Sequence, residues 1–160
     1  LEMDLEFLKA MGIRMNLDKS NTLTFQKGTE NEMGPSRLEI FSGAHQILSD
    51  HQPFYALLMS QTPYGGTVSD YVWKKRFSYA EELNKMVHAF DFSINQLMVR
   101  PGVEHTKKVE VFGKDLRSTA VLLIAALRRE AVTVVHGLEH LSRGYNSFLE
   151  NLCTAGAHIQ

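Results

Sequence analysis

Residues 118–152 read STAVLLIAALRREAVTVVHGLEHLSRGYNSFLENL. Within them Ala120, Ile124, Leu127, Ala131, Val134, Leu138, Leu141, Tyr145, Phe148 and Leu152 recur at alternating four- and three-residue steps. That spacing predicts one long amphipathic helix whose apolar seam faces a partner. At about 1.5 Å per residue, a helix from Ser118 to Leu152 extends roughly 50 Å. Val121, Val135 and Leu149 widen the stripe on one side, where a two-stranded coil would carry charge, so the pattern favours a bundle of three or more helices. Gly137 and Gly144 fall on one face of the same stretch and read as a close helix crossing.

Upstream, Ser78-Tyr79-Ala80-Glu81 fits a capping box, with a serine oxygen for one orphan backbone donor and a glutamate reaching back to another. Ala80, Leu83, Val87, Phe90, Ile94 and Leu97 then follow at helical spacing until Arg100-Pro101-Gly102. A second long helix, Ser78 to Val99, is expected. The fold class read from the sequence is therefore mainly α: a helical bundle with two long amphipathic helices and a small irregular or β element, forming a single domain over 1–160.

The first half is less regular. Leu5, Phe7, Leu8 and Met11 mark a short helix that Gly12 ends. Leu23/Phe25 and Leu38/Ile40 alternate on either side of the turn-rich segment GTENEMGPS (28–36), which suits a hairpin or an irregular loop. A helix should open near Asp50 to Pro53, with the proline in the first turn and His51 at the helix mouth. Residues 67–77 fit either a helix from Ser69 or an extended segment anchored by Trp73. Val109 and Val111, followed by Phe112-Gly113, suit a short strand beside Leu38/Ile40.

Composition narrows the function. The chain has 160 residues, 44% hydrophobic and 22% charged, enough for a core of its own. Its one cysteine, Cys153, excludes a disulfide scaffold and points to a reducing compartment. A formal charge of −1 gives no electrostatic reason to expect a nucleic acid or an anionic membrane as partner. The longest apolar run, Ala120 to Leu127, is too short to span a bilayer. The acidic start, Glu2, Asp4 and Glu6, resembles no secretory or transit signal, so a cytoplasmic location is expected.

Candidate chemistry is sparse. His136-x-x-x-His140 places two imidazoles on one face of a helix, where a divalent metal is the candidate cofactor and His51, His88 or His45 the third ligand. The seam phase, however, turns His136 and His140 outward beside Arg129 and Arg143. An early histidine followed by a late histidine pair, carried by His51, His136 and His140, resembles the layout of the DinB/YfiT-like metal-binding helical proteins. That resemblance implies metal-dependent hydrolysis or thiol transfer.

Glu130 and Asp91 read as structural partners of Arg128 or Lys85, and Cys153 as an inert thiol. Gly65-Gly66 lacks the pattern of a phosphate loop, and no nucleophile elbow is present. Lys74-Lys75-Arg76 and the basic segment from Arg100 to Arg129 read as solvated faces.

The function expected from the sequence is thus a non-enzymatic interaction or oligomerisation module, a regulatory or adaptor protein. Its interface would be Leu127, Val134, Leu138, Leu141, Tyr145 and Phe148 on the last helix, and its partner a second copy of the chain or another helical protein. A metal-binding helical-bundle enzyme using His136, His140 and His51 is the alternative.

Overall fold

Four residues decide against the long helix. Val132-Thr133-Val134-Val135 is an unbroken β-branched run, stiff at χ1 and suited to a pleated strand. In the computed structural model, which describes residues 2–26, 36–42 and 46–159, this run forms strand Thr133–His136. Gly137 ends it at φ +89°, a conformation only glycine adopts without strain. The predicted rod of 118–152 is therefore three pieces: helix Leu116–Ala126, that strand with a following 3-10 turn Leu138–Arg143, and helix Phe148–Thr154.

In chain order the elements are α1 (Glu2–Ala10), β1 (Arg14–Leu17), β2 (Leu23–Gln26), β3 (Ser36–Ile40), α2 (Gln52–Met59), β4 (Gly66–Asp70), α3 (Ser78–Asn84), β5 (Val87–Phe92), β6 (Gln96–Glu104), β7 (Val109–Phe112), α4 (Leu116–Ala126), β8 (Thr133–His136) and α5 (Phe148–Thr154). The architecture is mixed α/β, which corrects the expectation of a mainly α bundle.

The second predicted long helix also breaks. α3 begins at Ser78 as the sequence implied, but its N-cap is Phe77 and no side chain caps it. It stops at Asn84, whose side-chain oxygen accepts the backbone N–H groups of Ala89 (3.1 Å) and Phe90 (3.0 Å). This turns the chain into β5. A bulge between His88 and Phe90 lets Val87, Ala89 and Phe90 all reach the core. In β6 the alternation is clean, with Leu97 and Val99 buried and Met98 and Arg100 exposed, and Pro101-Gly102 lies inside the strand rather than ending a helix. Ala80, Leu83, Val87, Phe90 and Leu97 fall at that spacing because one helix face and two strand faces meet the same core, whereas Ile94, between β5 and β6, is exposed.

The strands form three sheets. β1 and β2 make an antiparallel ribbon, β3-β4-β6-β5 a four-stranded sheet, and β7 and β8 a parallel pair. Leu23/Phe25 and Leu38/Ile40 do mark strands, but β2 pairs with β1 and β3 runs parallel to β4, with Leu38 opposite Val68. The hairpin expected across 28–36 falls largely outside the described residues. Likewise β7 pairs with β8, not with β3.

The topology contains a repeat that no sequence identity announces. β3-α2-β4 and β7-α4-β8 are both strand-helix-strand units with parallel strands, each followed by another helix, α3 and α5. α2 packs on α4, and Ala56, Met59, Leu83, Val121 and Leu122 sit in one buried core between the sheets. Helices therefore line the interior, and the long unpartnered seam on which self-association rested does not exist. Among the described residues no helix is long and apolar enough to cross a membrane.

α1 is fastened to α2 through Asp4. The His51 ring nitrogen lies 2.7 Å from the Asp4 carboxylate, and the Tyr55 hydroxyl donates to it at 2.6 Å. Burial pushes the Asp4 carboxyl up, but the hydrogen bonds from Tyr55 and His51 outweigh it and hold the group below its ordinary value of 3.8. The same burial and the Asp4 charge push the Tyr55 phenol far up, so Tyr55 stays a donor.

A Cβ at Gly137 would meet the Gly113 carbonyl oxygen at 2.2 Å, on top of the φ penalty. Gly137→Ala should cost about 1–3 kcal/mol or more in denaturant unfolding; an unchanged midpoint would contradict that packing. Because Asp4 is depressed in the folded state, its stabilisation is full above the ordinary carboxylate range and lost as pH falls through the depressed value. The melting-temperature gap between the native chain and Asp4→Asn should narrow on acidification from about pH 6 to about pH 3, whereas a pH-independent gap would show the carboxylate charge to be irrelevant.

Candidate anion-binding site

The two repeats place their strand-to-helix turns side by side, and open α/β sheets bind ligands at such carboxyl ends. Four side chains occupy equivalent positions there. Asp50 lies between β3 and α2, and Arg117 opens α4 after β7. Arg76 follows β4 ahead of α3, and Arg143 follows β8 ahead of α5. Together with Asp115 and Leu116 they line a cleft of about 300 Å³.

At its centre the Asp50 carboxylate bridges two guanidinium groups. One oxygen contacts Arg76 Nη2 and the other Arg117 Nη2 at 3.2 Å. Arg117 also lies over the Tyr145 ring, 5.1 Å from its centroid, which fixes the outer side of its planar group. Arg143 lines the same cleft and makes no ion pair among the described residues. Three arginines against two aspartates leave the cleft net positive.

α4 adds to that charge. Asp115 caps it by accepting the Ser118 backbone N–H at 2.8 Å, while the Ser118 hydroxyl accepts the Asp115 N–H at 2.9 Å, a closed capping box. Asp115 is thus spent on the cap. The helix points its amino-terminal end, with its unmatched N–H groups and positive dipole, into a cleft already lined by arginines, a recurrent arrangement for oxyanions.

The turns carrying Asp50 and Arg76 share an anchor, Asp70 at the end of β4. Its buried carboxylate accepts from the backbone N–H groups of Val72 (2.9 Å) and Trp73 (3.0 Å), from Gln52 Nε2 (2.9 Å), and from the Ser49 hydroxyl. Tyr79 donates to Gln52 Oε1 at 2.9 Å. Burial and the Asp70 charge push the Tyr79 phenol well up, which keeps its proton in that bond. Lys75, in the same loop, has φ +61° and donates its backbone N–H to the Ile94 carbonyl at 2.7 Å, a strained residue next to Arg76.

A second cleft of about 710 Å³ opens from the first, sharing Asp50, Arg76 and Asp115. Phe41, Leu48, Val72, Trp73, Lys74 and Lys75 line it, and Phe41 stacks on Tyr71 with centroids 4.8 Å apart.

The residues singled out from sequence lie elsewhere. His51 is next to Asp50 but turns to Asp4. His136, at the end of β8, stacks on Phe112 at 4.5 Å and faces Glu110. His140 lies in the 3-10 turn, and His88, in β5, has its ring 6.4 Å from that of His105, just after β6. His45 is outside the described residues. Among the described residues no three His, Cys, Asp or Glu groups are arranged to hold a metal.

The proposed interface residues are dispersed as well: Leu127 ends α4, Val134 is in β8, Leu141 is buried, and Tyr145 and Phe148 stack on each other at 5.1 Å. Leu138 is exposed at the start of the 3-10 turn. Asp91 pairs with Arg100 rather than Lys85. Cys153 is exposed in α5. Arg129, expected on an outer face, is buried and donates to the His105 and Lys107 carbonyls at 2.6 and 2.7 Å.

Arg76 and Arg117 both fell within the basic segments read as solvated, and Asp50 only marked a helix start. The signal that could have joined them is the strand-helix-strand pattern of residues 109–136, which brings segments far apart in sequence to one end of a sheet.

The chain is similar in sequence and fold to several known proteins. The sequence pattern of EPSP synthase (3-phosphoshikimate 1-carboxyvinyltransferase) matches residues 66–152, more than half of the chain. A UDP-N-acetylglucosamine 1-carboxyvinyltransferase of Kosmotoga olearia is 29% identical over 162 aligned positions, covering 100% of this chain and 37% of that protein. The enzyme of the same name from Akkermansia muciniphila is 31% identical over 144 positions, 89% of this chain and 33% of that protein. The crystal structure of the enolpyruvyl transferase NikO from Streptomyces tendae superposes with a TM-score of 0.84 at 29% identity, over 100% of this chain and 36% of that one. The chain thus spans about a third of the length of these relatives.

These matches overturn the reading as a helical adaptor and its alternative, a metal-dependent hydrolase or thiol transferase. An enzyme family with an α/β fold replaces both, and the cleft described above lies on segments the family pattern covers, apart from the turn bearing Asp50. The chain belongs to the EPSP synthase family of enolpyruvyl transferases.

Proposed function

We propose that this chain supplies the anion-binding part of a carboxyvinyl transferase site, with Arg76, Arg117 and Arg143 holding the carboxyvinyl donor and Asp50 holding Arg76 and Arg117 until it arrives. The observation that carries the reading is the Asp50 carboxylate gripped by two arginines at the mouth of α4. A carboxylate held in this way occupies the place of an external anion. A 1-carboxyvinyl donor with an oxyanion leaving group, such as 1-carboxyvinyl phosphate, offers two such groups, and planar guanidinium forks match both.

Transfer of a carboxyvinyl group to a hydroxyl forms one C–O bond, breaks the C–O bond to the leaving group, and releases the hydroxyl proton. In the smaller cleft Asp50, once released from the arginines, would receive it, while Asp115 caps α4 through one carboxylate oxygen. Donor binding would take over the arginines and release Asp50 toward the acceptor. The guanidinium groups and the α4 terminus would stabilise the departing oxyanion.

The larger cleft adjoins this point and fits a hydroxyl-bearing acceptor. The names of the relatives, UDP-N-acetylglucosamine 1-carboxyvinyltransferases, support a sugar nucleotide as the acceptor class. A cytoplasmic location belongs to the same reading.

Calorimetric titration with 1-carboxyvinyl phosphate tests it. Arg117→Ala and Arg143→Ala should each weaken binding about tenfold or more, the usual worth of a charge-assisted contact. Asp50→Asn should bind the donor at least as tightly as the native chain, because the competing carboxylate is gone. Loss of binding in Asp50→Asn, or no effect of either arginine change, would contradict the reading.

A further inference from the structure

We propose that Asp70 is a positioning residue, which sets the Arg76 guanidinium through the Ser49 hydroxyl before any ligand arrives. The inference rests on the reading of the cleft as an anion site, and it concerns a carboxylate that touches neither cleft.

Asp70 is fully buried and forms no ion pair among the described residues. A carboxylate so placed is costly unless its lone pairs are met. Four donors meet them: two backbone N–H groups, the Gln52 amide and the Ser49 hydroxyl. The identity of those donors points beyond stability. Ser49 and Gln52 flank the Asp50 turn, while Val72 and Trp73 begin the loop that delivers Arg76.

The Ser49 hydroxyl has one hydrogen. Giving it to Asp70 leaves only lone pairs, and Arg76 Nη1 donates to that oxygen at 3.2 Å. Arg76 Nη2 meets Asp50, and the guanidinium carbon lies 6.0 Å from the Trp73 ring centroid. Two of these three contacts therefore trace back to Asp70, one through a hydroxyl and one through the Trp73 backbone. Once a ligand displaces Asp50, those two are what keep Arg76 aimed into the cleft. Gln52 cannot take over, because its amide is oriented by the Tyr79 hydroxyl on its oxygen.

The role predicts a defined pattern in the full chain. Nitrogen-15 spectra of the Arg76 guanidinium should show separate, slowly rotating Nη groups in the native protein. Ser49→Ala and Asp70→Asn should collapse them, and Ser49→Thr, which keeps the hydroxyl, should restore them. Titration with inorganic phosphate should show affinity lowered about two- to tenfold in Ser49→Ala and in Asp70→Asn. The double variant should be no weaker than the weaker single one, because both act on one link.

Unchanged Arg76 spectra in Ser49→Ala, or strictly additive losses of affinity, would overturn the proposal. Should Asp70→Asn fail to fold, the Ser49 pair decides alone. A native chain that binds no phosphate while its Arg76 spectra respond as described would leave Asp70 its positioning role and remove the anion-site reading.

Discussion

A single carboxylate shared by two guanidinium groups organises the functional end of this protein. Asp50 holds Arg76 and Arg117 together, and without it three arginines and a helix amino terminus would converge with little to balance them. The cluster is possible because the chain uses one device twice. Each strand-helix-strand unit presents its strand-to-helix turn at the same end, so an acid from the first unit meets a base from the second. The loops after β4 and β8 repeat the arrangement with Arg76 and Arg143. Packing of α2 on α4 in the shared core sets the separation of the two halves.

The supporting network is built to hold charge rather than only to fill space. Asp70 is buried beneath the two turns and is met by donors from both. Asp4 fastens α1 to the residue next to Asp50. Asp115 closes α4 at the rim. Each of these acids is committed to a structural donor, which leaves Asp50 as the carboxylate whose partners a ligand can replace. That division of labour among acids separates a binding cleft from an ordinary surface ion-pair network.

Some local signals in the sequence held, while the Ser78 capping box, the helix stop at Arg100-Pro101-Gly102 and the long-range periodicity did not. Gly12 closes α1, Pro53 sits in the first turn of α2, Ser78 begins α3, and the alternations at Leu23/Phe25, Leu38/Ile40 and Val109/Val111 are strands. Periodicity misled where a helix and strands feed the same core in succession. Leu83, Val87, Phe90 and Leu97 are all buried, on a helix face and two strand faces that fall at helical spacing by coincidence of turn length. In 118–152 the β-branched run and Gly137 carried the correct information, but a seam counted across them concealed it. The site was less legible still. Asp50, Arg76, Arg117 and Arg143 share no motif, and only the repeated topology brings them together.

The most direct test of this account is a crystal structure of the chain with 1-carboxyvinyl phosphate. The account predicts ligand oxygens within hydrogen-bonding distance of Arg76, Arg117 and Arg143, with the Asp50 carboxylate displaced from at least one guanidinium. A ligand seated elsewhere, with Asp50 still bridging Arg76 and Arg117, would contradict it.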